Sequence, residues 1–159
     1  MAQLEERLAA LEAERAILRT LYAYGHSIDA GDEARWVDCF TADGVFAAWV
    51  TSPDDPWFRV AGRAELEAFI TEHTRPPDPA HKHLVIEPLI DVDGSNAICI
   101  SYFAVLMHHD DAPLLRVFGR YHDQLAAEED GRWRFRERVA EIQSMRPGLP
   151  ALAWGRGRP

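Results

Sequence analysis

From Leu4 to Ile28, the residues Leu4, Leu8, Leu11, Leu18, Leu21, Gly25 and Ile28 recur at steps of three, four and seven, with Glu and Arg between them. That spacing predicts one long amphipathic helix. It also suits a short coiled coil, but Arg15 interrupts the seam, so the stripe is expected to pack on its own domain. Gly31 supplies a C-terminal stop, and Asp32 caps a second helix holding Trp36, Cys39 and Phe40. Asp43-Gly44 is a turn signal that leads into an apolar strand, Val45 to Val50. Pro53 and Pro56 punctuate a loop. Gly62 to Thr74 reads as a third helix burying Leu66, Phe69 and Ile70, broken at Pro76-Pro77-Asp78-Pro79.

From His81 onward the period changes to alternation. His81 to Asp91, Asn96 to His109, Leu114 to Glu128 and Arg132 to Ile142 read as strands. Asp93-Gly94 and Asp130-Gly131 supply hairpin turns between the first and last pairs of these. Helices first and hairpins afterwards define an α+β domain, with the helices against one face of a mainly antiparallel sheet. The run ICISYFAVLM is apolar at nearly every position. Both of its faces are therefore expected to be covered, the outer one by a partner subunit.

Composition narrows the class. A chain of 159 residues, 47% hydrophobic, suits one packed domain, taken as 1–145 with a tail at 146–159. A formal net charge of −9 with scattered acids argues against nucleic acid and against an anionic membrane surface. Cys39 and Cys99 stand in apolar surroundings with no CxxC or Cys/His spacing, as reduced core residues of a cytoplasmic protein would. The N-terminus has no signal-peptide character, and no apolar run reaches membrane-spanning length. The tail's Leu149, Leu152 and Trp154 either close over a pocket mouth or a neighbour, or fray.

The candidate chemistry is polar residues among apolar ones. His81 and His83 share one face of a strand, and an imidazole on an apolar sheet face is a suitable general base. The plainer reading has His83 bonded to a loop carbonyl and His81 solvated. Tyr24 shares a helix face with Leu21 and Ile28, and it could equally be a core tyrosine. Asp29 lies at a helix C-terminus, where the macrodipole disfavours an anion unless a cationic partner is near. Five residues separate Tyr24 from Asp29 by roughly 140° on an ideal helix, so Tyr22, His26 and Asp29 form a rival single face. The histidines, among them His81, His83, His108, His109 and His122, show no HExxH or facial-triad spacing, so no metal is expected. Glycine-rich phosphate loops and GxSxG are absent, which leaves no support for nucleotide cofactors or serine hydrolysis.

Three runs carry a family resemblance: LYAYGHSIDAGD…CFTADGVF, HKHLVIEPLIDVDGSNAICISYFAVL and FGRYHDQLAAEEDGRWRFRERV. They resemble the nuclear transport factor 2-like superfamily, in its SnoaL-like and scytalone-dehydratase-like branch. The resemblance implies a cone: a curved, mainly antiparallel sheet with three N-terminal-half helices on its concave face and a deep apolar pocket between them. It carries Asp29 and His83 onto the branch's aspartate and strand histidine, and Tyr24 and Arg138 onto residues of the similar bile-acid dehydratases. One of His108 and His109 falls near a second histidine, and strand register leaves the choice open. Phe46, Trp49, Phe69, Phe103 and Phe118 are expected around the substrate. Ile28 and Ala48 stand near the positions of scytalone dehydratase's two water-binding tyrosines, and Leu106 near a further aspartate of the bile-acid enzymes, so scytalone is an improbable substrate.

The implied activity is a cofactor-independent dehydratase or isomerase acting on a small hydrophobic, cyclic carbonyl compound. As an alternative, SYFAV and GRYHD…DGRWRFRER also resemble the small (β) subunit of ring-hydroxylating dioxygenases, which would make the chain an assembly partner. A hydrophobic-ligand-binding module is a third reading. A homo-oligomer is expected in any case, with a trimer favoured over a dimer by the dehydratase resemblance.

Overall fold

The structure, a computed structural model, describes residues 1–73 and 80–147. Helix α1 spans Ala2–Ala30 and stops at Gly31, whose left-handed φ of 72° lets the chain turn away. Helix α2 spans Glu33–Val37, and the Asp32 side chain accepts a hydrogen bond from the Arg35 amide, as an N-cap should. Phe40 has already left that helix: strand β1 runs Phe40–Trp49, five residues earlier than the alternation begins. A short β2, Phe58–Ala61, lies in the segment read as loop, and α3 follows at Gly62–Thr71. Strands β3 (His81–Asp93), β4 (Asn96–His109), β5 (Ala112–Ala127) and β6 (Trp133–Met145) then form a meander. The proline break after α3 and the tail's Leu149, Leu152 and Trp154 lie outside the described residues.

The six strands form one open curved sheet in the order β2-β1-β6-β5-β4-β3. All neighbours are antiparallel except β1 and β6, which pair in parallel at Phe40↔Phe135 and, after a register shift, from Val45↔Glu137 to Trp49↔Glu141. A parallel pair needs a long crossover, and here that crossover is everything between the two strands. The turn joining β4 to β5 uses Asp110 and Asp111, both left-handed at φ 49° and 60°, without a glycine to announce it.

The three helices cover the concave face. Ile17, Leu21, Tyr24 and Ile28 form the buried stripe of α1, and they meet Trp36, Phe40, Phe46, Phe103, Tyr121 and Phe135 in one core. The N-terminal part of α1 departs from expectation: Leu4, Leu8 and Leu11 are 69%, 53% and 62% exposed, so the first turns project beyond the domain. On β4, alternation holds cleanly. Ala97, Cys99, Phe103 and Val105 are buried, whereas Ile98, Ile100, Tyr102 and Leu106 lie open on the convex face.

Candidate active site

The end of α1 lies close against the start of β3. Gly25 makes this approach possible, since a Cβ there would stand 3.0 Å from the His83 carbonyl oxygen. One turn later, Asp29 faces that strand. Its two carboxylate oxygens accept the His83 backbone amide at 3.0 and 3.1 Å, and Oδ1 lies 2.8 Å from His83 Nδ1. Three contacts to one residue satisfy a carboxylate that sits at the negative end of a helix and is only 8% exposed. They also assign the imidazole tautomer. With Nδ1–H donating to Asp29, Nε2 keeps its lone pair.

His83 borders two spaces. On its inner side is a narrow apolar cavity lined by Tyr24, Ile28, Phe46, Ala48, Phe58, Phe69, His83, Phe103, Val105, Tyr121 and Ala140, so every element but α2 contributes. Its free volume is about 20 Å³, enough for one water molecule, whereas ligand sites usually run to hundreds. Aromatic rings fill the expected deep pocket. On the outer side is a groove of about 430 Å³ between α1 and β3, lined by Tyr22, His26, Asp29, Lys82 and His83 among others. The rival face of Tyr22, His26 and Asp29 therefore also exists, and it shares Asp29 with the first.

Burial sets the electrostatics. Desolvation lowers the His83 pKa below its ordinary value, partly opposed by the hydrogen bond and charge of Asp29, so the ring is neutral at neutral pH. Desolvation raises Tyr24 well above the usual phenol range, and it pushes Tyr121 up to about 12. Both phenols are therefore hydrogen-bond donors there. The thiols of Cys39 and Cys99 are pushed up by burial to about 11 and about 12, which leaves neither ionised as a nucleophile requires.

Several expected site residues lie elsewhere. Arg138 is fully buried but does not line the cavity. Its Nε and Nη2 form a two-pronged pair with Asp123 at 2.8 Å each, and its guanidinium lies 4.2, 4.0 and 4.2 Å from the ring centres of Tyr24, Tyr121 and Phe135. It backs Tyr24. Phe118 is on the convex face, 42% exposed, opposite in parity to Val117 and Gly119. Trp49 is half-buried and alternates away from Phe46 and Ala48, which do line the cavity. His108 is exposed, and His109 pairs with Asp110 at 3.4 Å beyond the His81↔Met107 position, so neither belongs to the lining. Tyr121 and Phe58 were missed. Tyr121 was open to discovery, since it alternates with Gly119 and Asp123 on the inward face, but Phe58 lies on a strand with no periodic signal.

A narrow aromatic cavity behind a helix-and-strand carboxylate–imidazole pair, enclosed by a curved sheet, defines an α+β cone with a buried Asp–His contact. The chain belongs to the SnoaL-like domain family, whose pattern matches residues 9–139. Among curated proteins none matches. Solved structures show the same fold. A protein of unknown function from Mycobacterium tuberculosis is 23% identical, with 89% of this chain and 76% of that one covered and a TM-score of 0.74. The β subunit of a candidate aromatic-ring-hydroxylating dioxygenase from Novosphingobium aromaticivorans is 18% identical, with 87% and 94% covered and a TM-score of 0.73. A candidate scytalone dehydratase from the same organism is 20% identical, with 98% and 99% covered and a TM-score of 0.69.

Proposed function

We propose that this chain is a cofactor-independent dehydratase or isomerase acting on a small hydrophobic, cyclic carbonyl compound of polyketide-, steroid- or aromatic-like character. The observation that carries the reading is the 2.8 Å contact between Asp29 Oδ1 and Nδ1 of an imidazole that lines an apolar cavity together with Tyr24. His83 Nε2 takes a proton from the carbon next to the carbonyl. Asp29 holds the ring's tautomer and stabilises the imidazolium that forms. The Tyr24 hydroxyl donates to the developing enolate oxygen, where a donor in a dry site is worth about 3 kcal/mol. For dehydration, the imidazolium returns its proton to the departing hydroxyl, and for isomerisation to another carbon. Substrate enters by displacing Phe58 and Phe69, half-buried rings stacked 5.2 Å apart at the cavity's edge.

The test is solvent-deuterium exchange at the carbon next to the carbonyl across a panel of cyclic ketones and hydroxyketones, followed by NMR. Wild type is expected to accelerate exchange for part of the panel, with His83→Ala and Asp29→Asn slower by at least about a hundredfold. Exchange that persists within tenfold in folded His83→Ala protein would falsify the assignment.

A second reading, an assembly subunit like the dioxygenase β subunit or a plain ligand-binding module, is favoured by the small free volume and by the apolar convex face of β4. Co-purification with a larger iron–sulfur protein would support the assembly subunit, and a homo-oligomer free of such a partner would argue for the enzyme or the binding module. In either case we propose that copies of this chain associate through that convex face, as a trimer in preference to a dimer, in the reducing cytoplasm, where Cys39 and Cys99 stay as free thiols. Light scattering that gives a monomer at micromolar concentration would remove the assembly.

A further inference from the structure

Beside Asp29 lie the imidazoles of His81 and His83, and a third imidazole, His73, packs against both. His73 follows the end of α3, and its ring centre lies 5.3 Å from that of His81 and 5.7 Å from that of His83, while His81 and His83 are 5.4 Å apart. The three rings thus form a nearly equilateral triangle. A metal–nitrogen bond of about 2.1 Å puts each imidazole centre about 3.2 Å from an ion, and tetrahedral directions then separate two centres by about 5.2 Å. The carboxylate closes the set. Asp29 Oδ1 is 2.8 Å from His83 Nδ1 and 3.8 Å from His81 Nε2, and the ligand atoms of Asp29, His81 and His83 all lie within 4.8 Å of one another. A tetrahedral edge is about 3.4 Å, so small side-chain rotations suffice.

We propose that His73, His81, His83 and Asp29 form a binding site for one divalent transition-metal ion of the zinc class. Three imidazole nitrogens and a single carboxylate oxygen suit zinc, cobalt or iron and are a poor set for calcium or magnesium, which require oxygen. Four protein ligands with this burial (His73 4%, His81 1% and Asp29 8% exposed) leave no open position for a reacting water, so the site is of the closed kind. The ion reaches it through the outer groove that exposes Asp29 and His83. On binding, the Nδ1 proton of His83 leaves to solvent, the metal takes that nitrogen's lone pair, and Nε2 carries the remaining proton. The imidazole then presents a donor, not an acceptor, to the inner cavity. Metal loading and base catalysis are thus alternatives at one ring, and the metal site holds whether or not the chain is an enzyme.

The experiment titrates chelator-stripped full-length protein with Co²⁺, following visible absorption and calorimetric stoichiometry, with Zn²⁺ as competitor. One Co²⁺ per chain is expected, displaced by Zn²⁺, with affinity about tenfold or more weaker in His81→Ala and His73→Ala and unchanged in His108→Ala. Wild-type affinity no greater than that of His81→Ala overturns the proposal. Should those variants fail to fold, X-ray absorption on Co²⁺-loaded wild type decides. Three imidazoles and an oxygen in the first shell uphold it, and fewer than three imidazoles overturn it. Every readout is taken without substrate, so a failed search for activity has no bearing on the result.

Discussion

Arg138→Met separates a structural role for the arginine from a catalytic one. In the fold, Arg138 and Asp123 both have side chains at 0% exposure and share two hydrogen bonds of 2.8 Å. Removing the guanidinium leaves Asp123 as an uncompensated buried charge, which costs about 3–5 kcal/mol. In a chain of this length that lowers the melting temperature by roughly 6–20 °C. Methionine keeps much of the contact with Tyr24, Tyr121 and Phe135, so the loss reports charge more than volume. The double variant Arg138→Met/Asp123→Leu removes both charges and is expected to recover at least half of that loss, the cation–π attraction being absent from both variants. Burial already holds the Asp123 carboxyl above its usual range, with Arg138 opposing. Without Arg138 the shift grows. A carboxyl whose folded pKa exceeds its unfolded value of about 3.9 is most favourable when protonated, so Arg138→Met loses stability as pH rises from about 4. Urea denaturation of the four proteins at pH 5 and pH 8 measures all of this. A loss below about 1 kcal/mol in Arg138→Met, or a double variant as unstable as the worse single one, would sink the structural assignment.

Three further outcomes follow from the same geometry. In chelator-treated protein, His83 titrates below its ordinary value, so its contribution to stability is complete above about pH 6.5 and fades as pH falls toward the folded pKa; His83→Gln should flatten the wild-type decline between pH 7 and 5 in urea titrations. Cys39 and Cys99, with thiols at about 11 and about 12, should resist a thiol reagent in native protein and react fully in denaturant, and a native reaction at the rate of a free thiol contradicts their burial. Gly25→Ala gains about 1 kcal/mol of helix propensity but forces α1 off the His83 carbonyl, for a net loss of about 1–2 kcal/mol and a weakened Asp29–His83 hydrogen bond visible in the imidazole NMR signals; a variant more stable than wild type shows the gap to be slack.

Much of the architecture was legible because periodicity reports burial. The strands of the meander from Asn96 onward fall within three residues of their alternating runs, since each buries one face and exposes the other. What was lost depended on partners distant in sequence. Strand β2 earns its place only by pairing Phe58↔Ala48 through Val45↔Ala61, and four residues carry no period of their own. The exposed Leu4, Leu8 and Leu11 have ideal spacing for burial, but the domain ends before it reaches them. A repeating stripe states that a helix can be amphipathic and leaves open what lies beside it.

The site divides along the same line. Asp29 and His83 were readable because each stood in a position that needed the other: an anion at a negative helix end, and an imidazole on an inward strand face. Tyr24 and Asp29, set roughly 140° apart around an ideal helix, do not need to share a cavity. Tyr24 faces the inner space, Asp29 the outer groove, and the His83 ring belongs to both. Arg138 could not be placed by alternation, because the β5–β6 register slips between Gln124 and Leu125 and so brings Phe135 and Arg138 to one face despite their opposite parity. One extra residue in a strand converts a candidate substrate donor into the charged prop behind Tyr24, and only pairing with β5 reveals where that residue sits. His73 is the extreme case. Eight residues and an intervening element boundary separate it from His81, so no spacing rule links the two, yet folding sets their rings 5.3 Å apart. Local order in a chain reports which side chains face inward, and chemistry here arises where inward faces from a helix end, a loop and a strand meet.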